Sequence, residues 1–322
     1  MVAEKNNIKR AILYLVIPCY NEEEVLHETA RRLVGKMKTL QGDDKISNQS
    51  KIVFVNDGSK DSTWAIIKEL YEKEQMILGI NLSRNRGHQN ALLAGLMTVK
   101  EYADAVVSLD ADLQDDINAI DEMIEKYYEG NSIVYGVRGE RKTDTFFKRF
   151  TAESFYRVMN FLGADIVFNH ADYRLMDKKA LDGLEQFKEV NLFLRGIVPM
   201  IGFKSDKVYY ERRERFAGES KYPLKKMLSF AFDGITSLSV KPIRMISMLG
   251  ILIFGVSVIA LLYLLVGSLL GATQPGWPSL IVSIWALGGL QLLAIGVVGE
   301  YIGKIYLETK GRPRFIIEDF LK

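Results

Sequence analysis

Cysteine is almost absent from this chain of 322 residues, with Cys19 the only one. An internal disulfide is therefore excluded, and the composition suits a reducing compartment. Histidine is nearly as scarce, at three residues, and neither His27 nor His88 stands at metal-ligand spacing from another His or Cys, so no metal is assigned to a histidine. An excess of one charge is also missing. Lys and Arg total 42 against 40 Asp and Glu, which removes any global attraction to nucleic acid and leaves electrostatic recognition to local clusters. After the polar start MVAEKNNIKR the apolar stretch 11–17 is too short and wrongly flanked for a cleaved signal peptide, so the N-terminal part is expected in the cytosol. With 48% hydrophobic residues there is material for a sizeable core, and the length favours about two domains.

The longest absence is local. No Asp, Glu, Lys, Arg or His occurs from residue 245 to residue 299. A bilayer core of ~30 Å needs ~20 apolar residues per helix, so this stretch predicts two spanning helices, near 245–270 and 279–301, joined by GATQPGWP. A helix pair in a soluble core would need charges on its outer face, and none is there. Lys241 and Arg244 precede the pair, and Lys304, Lys310, Arg312 and Arg314 follow it, which predicts both ends inside and the uncharged loop outside. Just upstream, Leu224, Leu228, Ala231, Ile235 and Leu238 recur at helical intervals, with Lys225, Lys226, Ser229 and Asp233 elsewhere on the wheel. This fits an amphipathic interfacial helix on the cytoplasmic leaflet, or a helix packing one protomer on another. The expected domains are 1–215 (cytoplasmic), 216–244 (juxtamembrane), 245–302 (two transmembrane helices) and 303–322 (a basic cytoplasmic tail).

The first two hundred residues alternate. Apolar β-branched runs at 12–17, 51–55, 76–82, 105–109 and 132–137 are separated by helical periodicity at 22–40, 62–74 and 90–100. Such alternation predicts an open, mostly parallel α/β sheet whose ligands bind beyond the carboxyl ends of the strands. The segments there are PCYNEEE, NDGSKDST, SRNRGHQN and DADLQDD, all polar and rich in turn formers.

The last is the most telling. In extended backbone Asp110, Asp112 and Gln114 would share one face about 6.6 Å apart. Two carboxylates ~6 Å apart at an effective dielectric of ~20 repel by about 3 kcal/mol, which calls for a raised pKa or a cation. A hard divalent ion such as Mg²⁺, commonly held by one or two carboxylates together with substrate phosphates, meets that need. Asp115 and Asp116 instead sit where carboxylates favour a first helical turn before Ile117.

Together VIPCYNEEEVL, VNDGSKDST, SRNRGHQNALLAGL, LDADLQD and RFAGESKYPLKKM resemble the family two glycosyltransferases of the dolichol-phosphate mannose synthase type. With the two-helix C-terminus the chain is most similar to the bacterial polyprenyl-phosphate, or bactoprenol, glucosyltransferases. The resemblance implies a glycosyltransferase A-type, nucleotide-sugar-binding α/β domain and an inverting, metal-dependent transfer of one hexose to a lipid phosphate. UDP-glucose is the expected donor and undecaprenyl phosphate the expected acceptor. It implies that Pro18, Tyr20 and Glu22 frame the nucleoside and that Asp57 accepts from the base edge. Asp110, Asp112 and Gln114 would hold Mg²⁺ or Mn²⁺ against the diphosphate, and Arg138, Arg149, Ser154, Arg215 and Lys221 would face the acceptor phosphate. Asp172 falls at the acidic position near the reacting centre, with Asp112 as its catalytic companion. General base is the obvious role for Asp172, yet a phosphate oxyanion needs little deprotonation, so orientation of the acceptor stays equally open. Pro18 and Tyr20 can equally end the first strand, and Asp57-Gly58 can be an ordinary turn. His170, beside a turn, reads as a local hydrogen-bonding residue. The expected setting is the bacterial cell (inner) membrane as a multi-pass homo-oligomer, with no nucleic-acid partner. Other sugar donors, such as GDP-mannose, and a membrane-anchored nucleotide-sugar scaffold without turnover are the alternatives.

Overall fold

In the computed structural model the described residues are 10–139, 170–211, 236, 239–269 and 276–322. The apolar runs become strands β1 (Leu13–Cys19), β2 (Lys51–Asn56), β3 (Ile77–Leu82), β4 (Ala105–Ser108) and β5 (Ile133–Arg138). Between them lie α1 (Leu26–Gly42), α2 (Thr63–Lys73), α3 (His88–Val99) and α4 (Ala119–Tyr128). Beyond β5 come β6 (His170–Asp177), α5 (Lys178–Glu185), α6 (Leu194–Met200) and β7 (Ser205–Tyr210). Two long helices, α7 (Lys241–Leu269) and α8 (Trp277–Lys310), precede a last strand, β8 (Ile317–Leu321).

The strands form one sheet in the order β7-β5-β6-β4-β1-β2-β3-β8. The pairs β1–β2, β1–β4, β2–β3 and β5–β7 are parallel, whereas β6 runs antiparallel to β4 and β5, and β8 antiparallel to β3. Every residue of β1 is buried, as expected for a strand covered on both faces. Leu15, Ile17 and Phe54 meet α1, α2 and α4 through Leu33, Met37, Ile67 and Met123. On the other face Val16, Val53 and Val55 meet α3, α5 and α6 through Leu92, Leu96, Leu184 and Ile197.

The strands not expected from the sequence lie mostly toward the edges. In β7, Val208 and Tyr210 point in while Ser205, Lys207 and Tyr209 are exposed, a period of two that only half covers the strand. β6 carries Arg174 at the centre of its buried run, and a charged residue there conceals the strand in the sequence.

The chain divides into two compact units, one holding the sheet and residues 312–322, the other the two long helices. α7 and α8 extend past the uncharged stretch at both ends: α7 starts at Lys241 with a proline in its first turn, and α8 ends at Gly311, whose φ of 55° provides the left-handed cap. Apolar side chains such as Met248, Ile251, Leu292 and Ile305 are exposed along them. By length and composition one stretch among the described residues, Leu287–Lys310, is long and apolar enough to cross a membrane. The expected pair is thus present as two helices, of which one passes that test. The juxtamembrane segment 224–238 lies almost wholly outside the described residues.

Candidate active site

Because β6 is antiparallel, its first residues lie at the carboxyl ends of the parallel strands. Ser108, the last residue of β4, is in register with Arg174, and the Ser108 hydroxyl donates to the carbonyl of Asp172. This register carries Asp172 to the carboxyl ends of the parallel strands. Its carboxylate is buried between two guanidiniums: Arg174 Nη2 bonds Oδ1, while Arg195 of α6 donates to Oδ2 from Nη2 at 3.1 Å and Nε at 3.3 Å. His88, the first residue of α3, places Nε2 3.8 Å from Asp172 Oδ2 and 3.5 Å from Asp110 Oδ1. Burial alone would raise the Asp172 carboxyl, but Arg195, Arg174 and His88 hold it well below the usual carboxylate range. Arg174 is fully buried, and that burial pulls its guanidinium downward against Asp172.

The exits of β1, β2 and β3 are knit together by side chains. Asp57 accepts the Arg86 N–H at 2.7 Å and the Gly87 N–H at 2.9 Å, one on each carboxylate oxygen. Burial raises its pKa against these two donors. Gly58 lies so close to the β3 exit that a Cβ would stand 2.4 Å from the Asn85 nitrogen, and its φ is +61°. Asn21 Oδ1 accepts from the Lys60 N–H, and the Glu22 N–H bonds the Thr63 hydroxyl. Pro18 is buried in β1 opposite Val55, Glu22 is half-buried, and Tyr20 is exposed.

The segment after β4 departs from the expectation. It is not extended: the strand ends at Ser108, a turn follows, and Leu113 takes a φ of 58°. The Gln114 N–H folds back onto Asp112 Oδ1 at 3.1 Å, the short-range bond by which Asp favours turns. The uniform spacing argued from strand geometry therefore does not apply. Asp110 and Asp112 are half-buried and Gln114 is buried. Asp116 accepts from the N–H of Asn118, the residue before α4, whose first-turn acids are Asp121 and Glu122, so neither Asp115 nor Asp116 stands in the expected helical turn. Asp115 departs further. It is buried, accepting from the Tyr210 hydroxyl at 2.6 Å with Arg138 Nη2 at 3.4 Å. Burial, with Asp110 adding, raises its carboxyl despite Arg138. Tyr210 in turn packs edge-on against Tyr173, with centroids 5.2 Å apart.

Among the described residues no three His, Cys, Asp or Glu side chains group to hold a metal ion by themselves. Asp110, Asp112 and Gln114 nonetheless follow one another on the turn after β4, the two carboxylates half-buried, and hard oxygen donors of this kind suit a cation that keeps positions for phosphate oxygens and water.

Asp110, Asp172 and Arg138 thus gather at one face, Asp57 braces the loop leading to His88, and Pro18, Tyr20 and Glu22 flank the β1 exit. Arg149, Ser154, Arg215 and Lys221 lie outside the described residues. Arg174, Arg195 and Tyr210 escaped the sequence reading, whereas Asp115 reads there as a helix start and His88 only as lacking metal-ligand spacing. Both of these lie in polar strand exits, DADLQDD and SRNRGHQN.

Residues 14–184 match the family described as Glycosyl transferase family 2. The chain belongs to that family and is a glycosyltransferase, with an A-type α/β fold on a mostly parallel sheet. It is 56% identical over 307 residues to the glycosyltransferase YkoT of Bacillus subtilis (strain 168), covering 95% of this chain and 91% of the relative. It is 39% identical to the bactoprenol glucosyl transferase of Shigella phage SfX, covering 94% and 98%. Among solved structures, the mannosyltransferase PcManGT from Pyrobaculum calidifontis in complex with GDP-Man and Mn²⁺ superposes with a TM-score of 0.44 at 15% identity, covering 92% of this chain and 88% of that one.

Proposed function

We propose that this enzyme transfers glucose from UDP-glucose to undecaprenyl phosphate at the cytoplasmic face of a bacterial inner membrane, with inversion at the anomeric carbon. The observation that carries the proposal is the match to a bactoprenol glucosyl transferase along 94% of the chain, catalytic domain and long helices together. The uncharged stretch 245–299 and the flanking Lys and Arg support α7 and α8 as a membrane hairpin with both ends inside.

Asp110, Asp112 and Gln114 are the residues that would hold Mg²⁺ or Mn²⁺; the ion would stabilise charge developing on the departing nucleoside diphosphate. Pro18, Tyr20 and Glu22 are assigned to the nucleoside. Asp57 serves it indirectly as well as through the base edge, because both its oxygens brace the β3 exit. Arg138, Arg149, Ser154, Arg215 and Lys221 are assigned to the acceptor phosphate, whose oxyanion is matched by guanidinium forks. A phosphate oxyanion attacking once from the face opposite the leaving group gives inversion. Asp172 is assigned to orientation and charge at the reacting centre rather than to proton removal, since a carboxylate tied to two guanidiniums is a poor base. Work as a homo-oligomer belongs to the same proposal.

Purified protein given radiolabelled UDP-glucose, undecaprenyl phosphate and Mg²⁺ is expected to yield a chloroform-extractable glucolipid. No sugar lipid from any nucleotide sugar in a panel would overturn the transfer and leave a nucleotide-sugar scaffold.

A further inference from the structure

Three side chains from two other elements converge on residues 194 and 195 at the start of α6. Gln89 Oε1 accepts the Leu194 N–H at 2.7 Å, Arg174 Nη1 donates to the Leu194 carbonyl at 3.4 Å, and Asp172 Oδ2 receives both Nε and Nη2 of Arg195. α6 has no side-chain cap of its own, so these partners from α3 and β6 fix where it begins. Arg174 and Asp172 are almost wholly buried, 1% and 9% exposed at their side chains, while Arg195 keeps 32% of its side chain exposed. A buried polar network that ends in a partly exposed arginine costs desolvation, and packed apolar residues would hold a helix start as well. Such a network is suited to presenting a cation in one orientation. One carboxylate shared by two guanidiniums also leaves the trio with a net positive charge.

We propose that Arg195 is a ligand of the acceptor's phosphate monoester, presented from α6 by Asp172 and Arg174, which act as positioning residues. The assignment rests on the reading of the acceptor as a lipid phosphate. Two features select the acceptor over the donor diphosphate. Arg195 is fastened to Asp172 at the start of β6, whereas the carboxylates assigned to the diphosphate lie on the turn after β4, with His88 between. Arg195 also lies within electrostatic reach of Arg138: burial pulls its guanidinium down, Asp172 more than offsets that, Asp110 adds to the rise and Arg138 opposes it. Two guanidiniums within electrostatic reach of each other match a dianionic monoester of charge about −1.5 to −2.

The test compares Arg195→Ala and Arg195→Lys with the unaltered full chain in detergent. For Arg195→Ala the KM for undecaprenyl phosphate is expected to rise about 30-fold, as for loss of one charge-assisted pair. UDP affinity should stay within about twofold, as it does when only the acceptor contact is lost. Added guanidinium chloride at millimolar levels is expected to restore part of the turnover, which a purely structural role would not allow, and Lys should recover part of the acceptor affinity. An equal loss of UDP affinity would assign Arg195 to the donor, and an unchanged acceptor KM would remove it from the site; either result overturns the proposal. If the Ala variant fails to fold, the Lys variant is read by the same two constants. Direct binding of undecaprenyl phosphate separates the two levels of inference. Lipid bound through Arg195 without product would sink the transfer reading alone, whereas turnover indifferent to Arg195 would sink only this one.

Discussion

The two ends of β6 carry ion clusters of opposite make-up. At its start one carboxylate, Asp172, is shared by two arginines with a histidine beside it. At its end, where Asp177 pairs with the first residue of β4 and the Lys178 N–H bonds the Asp104 carbonyl, one lysine is shared by three carboxylates. Lys100 reaches Glu185 at 2.8 Å, Asp182 at 3.1 Å and Glu101 at 3.4 Å. The surroundings differ as much as the charges. The shared ions are covered alike, Asp172 9% and Lys100 11% exposed at their side chains, but their partners are not: Arg174 and Arg195 are 1% and 32% exposed, the three carboxylates around Lys100 48% to 58%. Charges half in water are screened and contribute little; charges removed from water must be mutually satisfied or the fold suffers. The lysine cluster ties α3 to α5, and the aspartate cluster holds a polar centre at the ligand face.

The largest effect is expected from removing a charge assigned to chemistry on the turn after β4, beside the Asp172 end of β6. Asp112→Ala is expected to cut turnover by about 10²–10³-fold, the scale on which a single electrostatic contact to developing charge acts. Circular dichroism should be unchanged and the loss of stability should stay at about 1 kcal/mol, the scale of the one turn hydrogen bond that Asp112 accepts from the Gln114 N–H. Near-normal turnover would remove the cation from the site.

Asp172→Asn breaks the buried cluster itself. It leaves two guanidiniums without their carboxylate, and the expected cost is about 3–5 kcal/mol in a denaturation midpoint, as for the loss of one partner of a buried pair. The sign with pH follows from the lowered folded pKa. The unfolded Asp titrates near 3.8, so the stabilisation is fully present above that value and is lost as pH falls toward the lower folded value. The gap in stability between the wild type and the Asn variant should therefore be constant from pH 7 to pH 5 and narrow below pH 4. A gap that stayed constant to pH 3 would contradict the charged pair.

Gly58→Ala tests the loop scaffold that lies between these extremes. A left-handed residue and a Cβ 2.4 Å from the Asn85 nitrogen predict a loss of about 1–3 kcal/mol. Weakened nucleotide binding should accompany it, since Asp57 next door braces the loop that leads to His88. Calorimetry with and without UDP reads both, and an unchanged melting temperature would show that the loops can part at no cost.

What was legible in the sequence follows the same division. β1 to β5 announce themselves through apolar, β-branched runs because both faces of those strands are covered, and the ligand face follows from their polar exits. Four of the five motifs lie there too, at the exits of β1 to β4, while RFAGESKYPLKKM lies outside the described residues. The β6 cluster was hidden for a physical reason. Arg174 reads as a surface residue in a linear sequence, and its burial becomes affordable only when Asp172 two residues away and Arg195 on another element share the charge. Asp115 was misread likewise: four carboxylates in nine residues look like a helix start, and only the packing of Tyr210 from β7 selects one of them for burial. Pairings between distant elements leave no period to detect.

The smallest effect is expected at the other end of β6. Lys100→Met removes the lysine from three carboxylates and keeps the apolar bulk of its stem. Hydrogen bonding to Glu185 outweighs burial and holds the lysine's pKa above its usual value, so its contribution is present at every pH below about 10.5 and disappears only as strong base deprotonates it. Because its partners are half exposed, that contribution is discounted for screening to about 1 kcal/mol or less. The loss should shrink further in molar salt, where the Debye length falls to about 3 Å, while turnover stays at the wild-type rate. A salt-independent loss as large as that of Asp172→Asn would mean that the two clusters do the same structural work, and the contrast between the ends of β6 would then lie in their charges alone.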